Sequence, residues 1–505
     1  MKKIIILLSI CMICLSSCDK DLDLKPLDRI TVESFYKTRN DFDGAIFASY
    51  SSIQDFWGTS TETLGEQGEF WKITMVITDD VAADDVTSDG ISTDVDRLLV
   101  RSSDVPYAAV YTQIYEGILR ANLVLDNLDN ENELTAEDKT VLGAEAKFLR
   151  AWFHFQALKL FGTPPLALEV GKDLRNLALP NATKEELYTS ILGDLNAAAA
   201  GLPDVWDSSN TGRATAWAAK SFIGKVNVWK QDWPSAINAF KDVVLNGPYR
   251  LISDYEQVFF FENENNAESI FEIQYGGPFS DDNIWVFDDT HSESFKASQG
   301  CARGNYWDAG NGAPGGKNGW WAPTQDLVDA FEPNDLRAPI TYYQEGDMYF
   351  TTFTSLPYDP DWSSTGYTLK KYRGEINSVP GNYSSNQQAE FNNERWFRFA
   401  ELKLLYAEAL LEGGGDLTIA KAQIDDIRVR AGLLPLEDGV DLMQAMRQEK
   451  RVELALEPHR WFDITRWGIG PEIFGASWND KLKVFPFPQS EIDRSDGLLI
   501  QNPGY

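Results

Sequence analysis

The chain has 505 residues, of which 45 are basic and 77 acidic, for a net charge of −32. A surface this acidic repels phosphate backbones, and no Lys/Arg cluster interrupts it, so a nucleic-acid partner is excluded. It repels an anionic membrane surface too, so any attachment to a bilayer has to come from something other than charge.

The chain opens MKKIIILLSICMICLSSC. Lys2 and Lys3 precede an apolar run from Ile4 to Leu15. That run is too short for a bilayer core, which takes roughly 20 apolar residues, and fits the apolar region of a secretory signal. Leu-Ser-Ser-Cys, ending at Cys18, resembles the lipobox of bacterial lipoproteins, where cleavage leaves the cysteine as a lipid-bearing N-terminus. An ordinary cleaved signal and an uncleaved anchor are the alternatives. Cys11 and Cys14 fall in the segment to be removed and Cys18 takes lipid, so Cys301 has no partner for an internal disulfide and reads as a small buried apolar residue. The acids that follow in CDKDLDLKP form a solvated tether; they also resemble the surface-export signal of Bacteroidetes lipoproteins.

Helical hairpins come next. Tyr107–Leu128 carries apolar residues near helical spacing, and Thr135 is placed to cap a second helix running to about Phe161, with Phe148, Trp152, Phe155 and Leu158 on one face. His154 in that helix has no partner at metal-ligand spacing and reads as a packed or surface residue. Ala214–Val244 predicts a helix to about Trp229, a short turn, and a helix with Pro234 in its first turn. Arg398–Gly432 repeats the pattern, broken at Gly413–Gly415. Paired helices of this kind are similar to tetratricopeptide repeats, here dispersed and degenerate. Between them, Asp55–Asp104 and Pro248–Arg395 are irregular, the second rich in Gly, Asn, Asp and aromatics with short strand-like runs such as SIFEIQY (Ser269–Tyr275). Loops of such length are functional or hold small elements of their own.

The predicted fold is therefore mostly α. Tetratricopeptide-like helical hairpins form a scaffold over about 30–247 and 395–468, and a loop-rich insertion with short strands covers about 248–394. After a signal of residues 1–17, residues 18–505 are expected to form a single domain.

Toward the C-terminus, LMQAMRQEKRVELALEPHRWFDITRWG (Leu442–Gly468) predicts an amphipathic helix closed by Pro458 and followed by a turn, and the chain ends in QNPGY. This pair resembles the C-terminal pattern of the SusD/RagB family. LRAWFHFQALKLFGTPPL and WWAPTQDLVDAFEPNDLR are similar to further stretches of that family in the same order. Arg451, Glu453, Arg460, Asp463 and Arg466 have the look of catalytic residues, yet no nucleophile accompanies them. Their spacing suits an ion-pair network fixing the last helix to the tail, and in the family this region is structural.

The resemblance implies a non-enzymatic, lipid-anchored protein of the outer membrane that faces the cell exterior and uses no cofactor. It implies an oligosaccharide ligand, and as partner a SusC-like TonB-dependent transporter. A sugar ring needs aromatic planes for its C–H face and polar side chains for its hydroxyls. Two stretches combine both. In GEFWKITMVITDDVAADDVTSDG, Trp71 precedes Asp84 and Asp85; in CARGNYWDAGNGAPGGKNGWW stand Asn305, Tyr306, Trp307, Trp320 and Trp321. Their positions match the loops that form the ligand face in the family. Trp320 and Trp321 adjoin the stretch PTQDLVDAF, so either could instead be core. The acids from Asp79 to Asp89 lack the alternation of a calcium-binding loop and read as solvated turn acids.

Two other readings stay open at this point. A surface glycoside hydrolase needs two carboxylates at defined separation, and nothing marks such a pair among the 77 acids. A peptide ligand, known within the same family, would suit aromatic loops as well. With His154, His291 and His459 the only histidines, and no HExxH or GxSxG, zinc-protease and serine-hydrolase chemistry lacks its parts.

Overall fold

The computed structural model describes residues 35–55, 69–83, 90–171, 178–274, 321–350, 355–372 and 393–505. Its longer helices are α1 (Arg39–Asp55), α2 (Val105–Asn127), α3 (Ala136–Phe161), α4 (Lys184–Gly201), α5 (Ala216–Lys230) and α6 (Trp233–Asn246). They continue with α7 (Phe399–Glu412), α8 (Leu417–Arg430), α9 (Leu442–Glu453) and α10 (Arg460–Trp467). Each helix from α2 to α8 packs on the next, and α6 meets α7 although the loop-rich segment separates them in sequence. The hairpins form one stack, as the sequence predicts.

Local chemistry sets the helix ends. At α3 the Thr135 hydroxyl accepts from the Asp138 N–H at 3.1 Å, while the Asp138 carboxylate accepts from the Thr135 N–H at 3.0 Å. Both otherwise orphaned donors are satisfied reciprocally. Thr135→Ala is expected to cost about 1 kcal/mol, read as a lowered urea midpoint at unchanged slope. Asp232 caps α6, with Pro234 in the first turn where no N–H is needed. The turn between α7 and α8 passes through Gly414 at φ +66°, a conformation that costs glycine nothing. Close approach explains Gly224 of α5: a Cβ there would lie 2.4 Å from the Phe240 ring of α6.

Helix α3 is central. Phe148, Trp152, Phe155 and Leu158 are buried as predicted, but so are Leu149, Phe153, Leu160 and Phe161 on its other sides. Its end is sealed by the C-terminus of the chain. Phe485 N–H donates to the Leu160 carbonyl at 2.7 Å, and Asn502 Nδ2 donates to the carbonyls of Phe161 and Phe485 at 2.9 and 2.7 Å. The Phe161 and Phe487 rings stack at 5.7 Å.

The structure corrects the expected turn HRWFDITRWG, which is helix α10. It buries Trp461, Phe462 and Ile464 and stops at Gly468, whose φ of +68° ends a helix. Strands are short and come in antiparallel pairs: β1 (Val81–Ala83) with β3 (Trp321–Pro323), and β2 (Ser269–Ile273) with β8 (Glu394–Arg398). The others are β4 (Tyr342–Tyr343) with β7 (Thr368–Leu369), and β5 (Met348–Phe350) with β6 (Ser355–Pro357). Of the predicted strand SIFEIQY, the first five residues are β2, and Tyr275 lies outside the described residues. Tyr343, Tyr349, Tyr358 and Trp362 form a small core of their own beside the main one.

Candidate ligand face

The ribbons fix where the long irregular segments begin and end. In β1–β3 the register pairs Ala83 with Trp321. Asp84 follows Ala83 and Trp320 precedes Trp321, so the two stretches singled out in the sequence leave from the same end of one ribbon. In β2–β8, Ile273 pairs with Glu394, so the segments after Gln274 and before Asn393 also share an end. Side-chain amides tie these stems together. Gln54, near the end of α1, donates to the Gln274 carbonyl at 2.5 Å, and Asn393 Nδ2 donates to Gln274 Oε1 and Glu272 Oε2 at 3.0 and 3.1 Å. Tyr372 donates to Glu394 Oε1 at 3.2 Å, and its ring lies edge-on to Trp71 at 6.3 Å.

Two of the predicted ligand residues are corrected by this arrangement. Trp71 is 2% exposed and Trp321 is 1% exposed, both in the main core. Trp71 lies within a run, Glu69–Val76, that is buried throughout, and Trp321 lies on a strand whose residues are all buried; the Trp321 Nε1 donates to Ser92 Oγ at 3.1 Å. They are core residues, not platforms facing solvent. Cys18, Asp84, Asp85, Asn305, Tyr306, Trp307 and Trp320 lie outside the described residues, as does Cys301.

Asp79 and Asp80, just before β1, are not solvated turn acids. Arg460 of α10 grips Asp79 through Nε and Nη2 at 2.9 and 2.6 Å. Arg451 of α9 donates from Nε to Asp80 at 2.8 Å and from Nη2 to Asp326 at 2.5 Å. Burial works against the charge on Asp79, but Arg460 and then Arg451 outweigh it and hold the carboxyl below its ordinary range. Asp80 is pushed up, by burial first and by the neighbouring Asp79 second. The C-terminal motif is an ion-pair network as expected, but its partners are not the tail. Arg451 and Arg460 reach the base of β1, and Arg466 grips Glu408 of α7 and Asp463.

Glu453 is ion-paired as its place in the motif predicts, but in a buried hub whose arginines, Arg337, Arg398 and Arg430, lie outside that motif. Its carboxylate accepts from Arg430 at 2.6 Å, Arg398 at 3.0 Å and Arg337 at 3.2 Å. Lys371 meets Glu457 at 2.6 Å alongside. Burial opposes the Glu453 charge, yet Arg430, Arg398 and Arg337 bring its pKa down to about 2. A carboxylate so held is neither a proton donor at neutral pH nor open to a substrate. Neutral His154 is likewise structural: Nδ1 lies 3.0 Å from the Arg150 carbonyl, and Nε2 accepts from the Ala167 N–H at 3.3 Å. Among the described residues no group of His, Cys, Asp and Glu is placed to hold a metal ion.

Comparison with known proteins agrees with this architecture. The model of the SusD family matches residues 304–484, and a model described as starch-binding associating with outer membrane matches residues 46–228. The SusD-like protein P2 of Formosa agariphila is 26% identical over 100% of both chains. A laminarin-binding SusD-like protein superimposes with a TM-score of 0.77 at 23% identity, covering 93% of this chain and 100% of its own. Surface glycan-binding protein A of Bacteroides thetaiotaomicron, solved with laminarihexaose, gives 0.74 at 22% identity, covering 92% and 100%. Two family models that between them take in most of the chain, a full-length relative and the shared fold agree: the chain belongs to the SusD/RagB family.

Proposed function

We propose that this protein is a cell-surface lipoprotein, anchored in the outer membrane through lipid on Cys18, that captures an oligosaccharide and delivers it to a SusC-like TonB-dependent transporter. Family membership supports the reading, as do relatives named for laminarin and for surface glycan binding. The observation that carries it is the β1–β3 register, which brings the stem that continues into Asp84 and Asp85 beside the stem that arrives from Asn305, Tyr306, Trp307 and Trp320. In this reading those tryptophans take the C–H face of a sugar ring and the polar residues take its hydroxyls. Trp71 and Trp321 belong to the core. The protein binds its ligand and leaves it chemically unchanged.

Calorimetric titration of residues 19–505 against laminarihexaose, maltohexaose and a set of short peptides tests this. Saccharide binding without hydrolysis is expected, and Trp307→Ala or Trp320→Ala should weaken it about tenfold, or 1.4 kcal/mol. Binding of peptides alone would replace the ligand class, and release of shorter sugars would replace binding with catalysis.

A further inference from the structure

The β1–β3 ribbon is a weak structure by itself. It has three residue pairs, Val81 with Pro323, Ala82 with Ala322 and Ala83 with Trp321. An isolated pair of strands is marginal in water at any length. Something outside the ribbon has to hold the two strands at their spacing.

One guanidinium spans both. Asp80 immediately precedes β1, and Asp326 lies in the short helix Gln325–Ala330 that follows β3. Arg451 Nη2 reaches Asp80 at 2.7 Å and Asp326 at 2.5 Å, with Asp79 at 3.1 Å. Backbone contacts close the same joint: Thr324 N–H donates to the Asp80 carbonyl at 3.0 Å, and its hydroxyl donates to the Asp79 carbonyl at 2.7 Å. Arg460 holds Asp79 from the next helix. The planar fork of arginine suits this bridging, which a lysine ammonium does not reproduce.

We propose that Arg451 is a positioning residue for ligand capture: through Asp80 and Asp326 it sets the spacing of the two strands whose ends carry the ligand loops, without touching ligand itself. The inference rests on the reading of the chain as a glycan-binding protein. Affinity then depends on this joint because a preorganised site spends less on ordering when ligand arrives.

Asp326 offers the clean test, since its side chain is 68% exposed and its removal uncovers no core. In the full-length protein held in detergent, laminarihexaose is titrated against wild type, Asp326→Ala, Asp326→Glu and Arg451→Lys, with thermal melts and amide exchange alongside. Asp326→Ala is expected to keep the wild-type melting temperature yet lose about fivefold or more in affinity. The Ala82 and Ala322 amides, which face each other across the ribbon, should exchange about tenfold faster. Asp326→Glu should restore both, and Arg451→Lys, if it folds, should behave like Asp326→Ala. Wild-type affinity in Asp326→Ala would overturn the proposal while leaving the glycan reading intact. A loss of affinity that Asp326→Glu does not restore, or one without faster exchange, would overturn it as well. Absence of laminarihexaose binding in the wild type, with binding of peptides only, would remove the glycan reading and this inference together.

Discussion

Arg398→Met is expected to destabilise the protein by about 3–5 kcal/mol, enough to turn most of the chain into aggregate on expression at 37 °C. The side chain is 1% exposed on β8. It donates to Glu457 at 2.9 and 2.7 Å, to Glu268 at 2.6 Å and to Glu453 at 3.0 Å. Methionine fills similar space, so the loss is one of compensation. Three carboxylates stay buried, and Arg337, Arg430 and Lys371 are left to balance them. Taking one partner from a buried ionic group costs more than the group contributes when whole, because the remaining charges keep their desolvation penalty. Denaturant unfolding followed by circular dichroism gives the figure. A midpoint indistinguishable from wild type would mean that the hub is energetically idle.

Acid should weaken the fold through its buried histidines well before Glu453 titrates. The pKa of His154 is brought down to about 3, by burial first; the Arg150 carbonyl opposes the shift and the Arg150 charge adds to it. In the unfolded chain the same ring takes a proton near pH 6.5. Between these values the unfolded state binds more protons, so stability falls as pH drops from about 6.5 toward 3, by about 1.4 kcal/mol per unit. At pH 5 that amounts to about 2 kcal/mol from His154 alone. His459, also pushed well down by burial, adds in the same direction. Glu453 contributes a separate loss as pH falls from about 4.5 toward 2, since its depressed pKa stabilises only the ionised form. Melting temperatures measured from pH 8 to pH 4 should hold near neutrality and then decline steadily. His154→Gln should flatten that decline without abolishing it. A wild-type curve level between pH 7 and pH 5 would contradict the assignment of both histidines as buried and neutral.

The hairpins were legible because their signals are local. Thr135 with Asp138, Pro234, and the glycines after Glu412 act within a turn of where they stand, and the structure places helix ends within a few residues of each. Helix α10 was missed because HRWFDITRWG follows a proline and is bounded by glycine, which reads as a turn when packing is unknown; Trp461, Phe462 and Ile464 make it a helix by burial. The acids before β1 were misjudged for a different reason. The partner of Asp80, Arg451, stands 371 residues away, and no spacing rule reports it. Trp71 and Trp321 sit beside polar loops in sequence, and nothing local shows that one packs against Tyr372 and the other reaches Ser92. Ligand class came from family likeness, not from residue pattern.

The sealing of α3 by the end of the chain has a consequence for how the protein is made. Leu160 and Phe161 cannot complete their contacts until Phe485, Phe487 and Asn502 have been synthesised. The same holds for Tyr107, whose ring packs on Phe485 at 5.1 Å. Synthesis at about 5–20 residues per second leaves the centre of the molecule open for tens of seconds, until its last segment arrives. Any passage through a membrane that demands an open chain would have that interval in which to begin, and a chain lacking Asn502 would leave the carbonyls of Phe161 and Phe485 without the donor that ties them together.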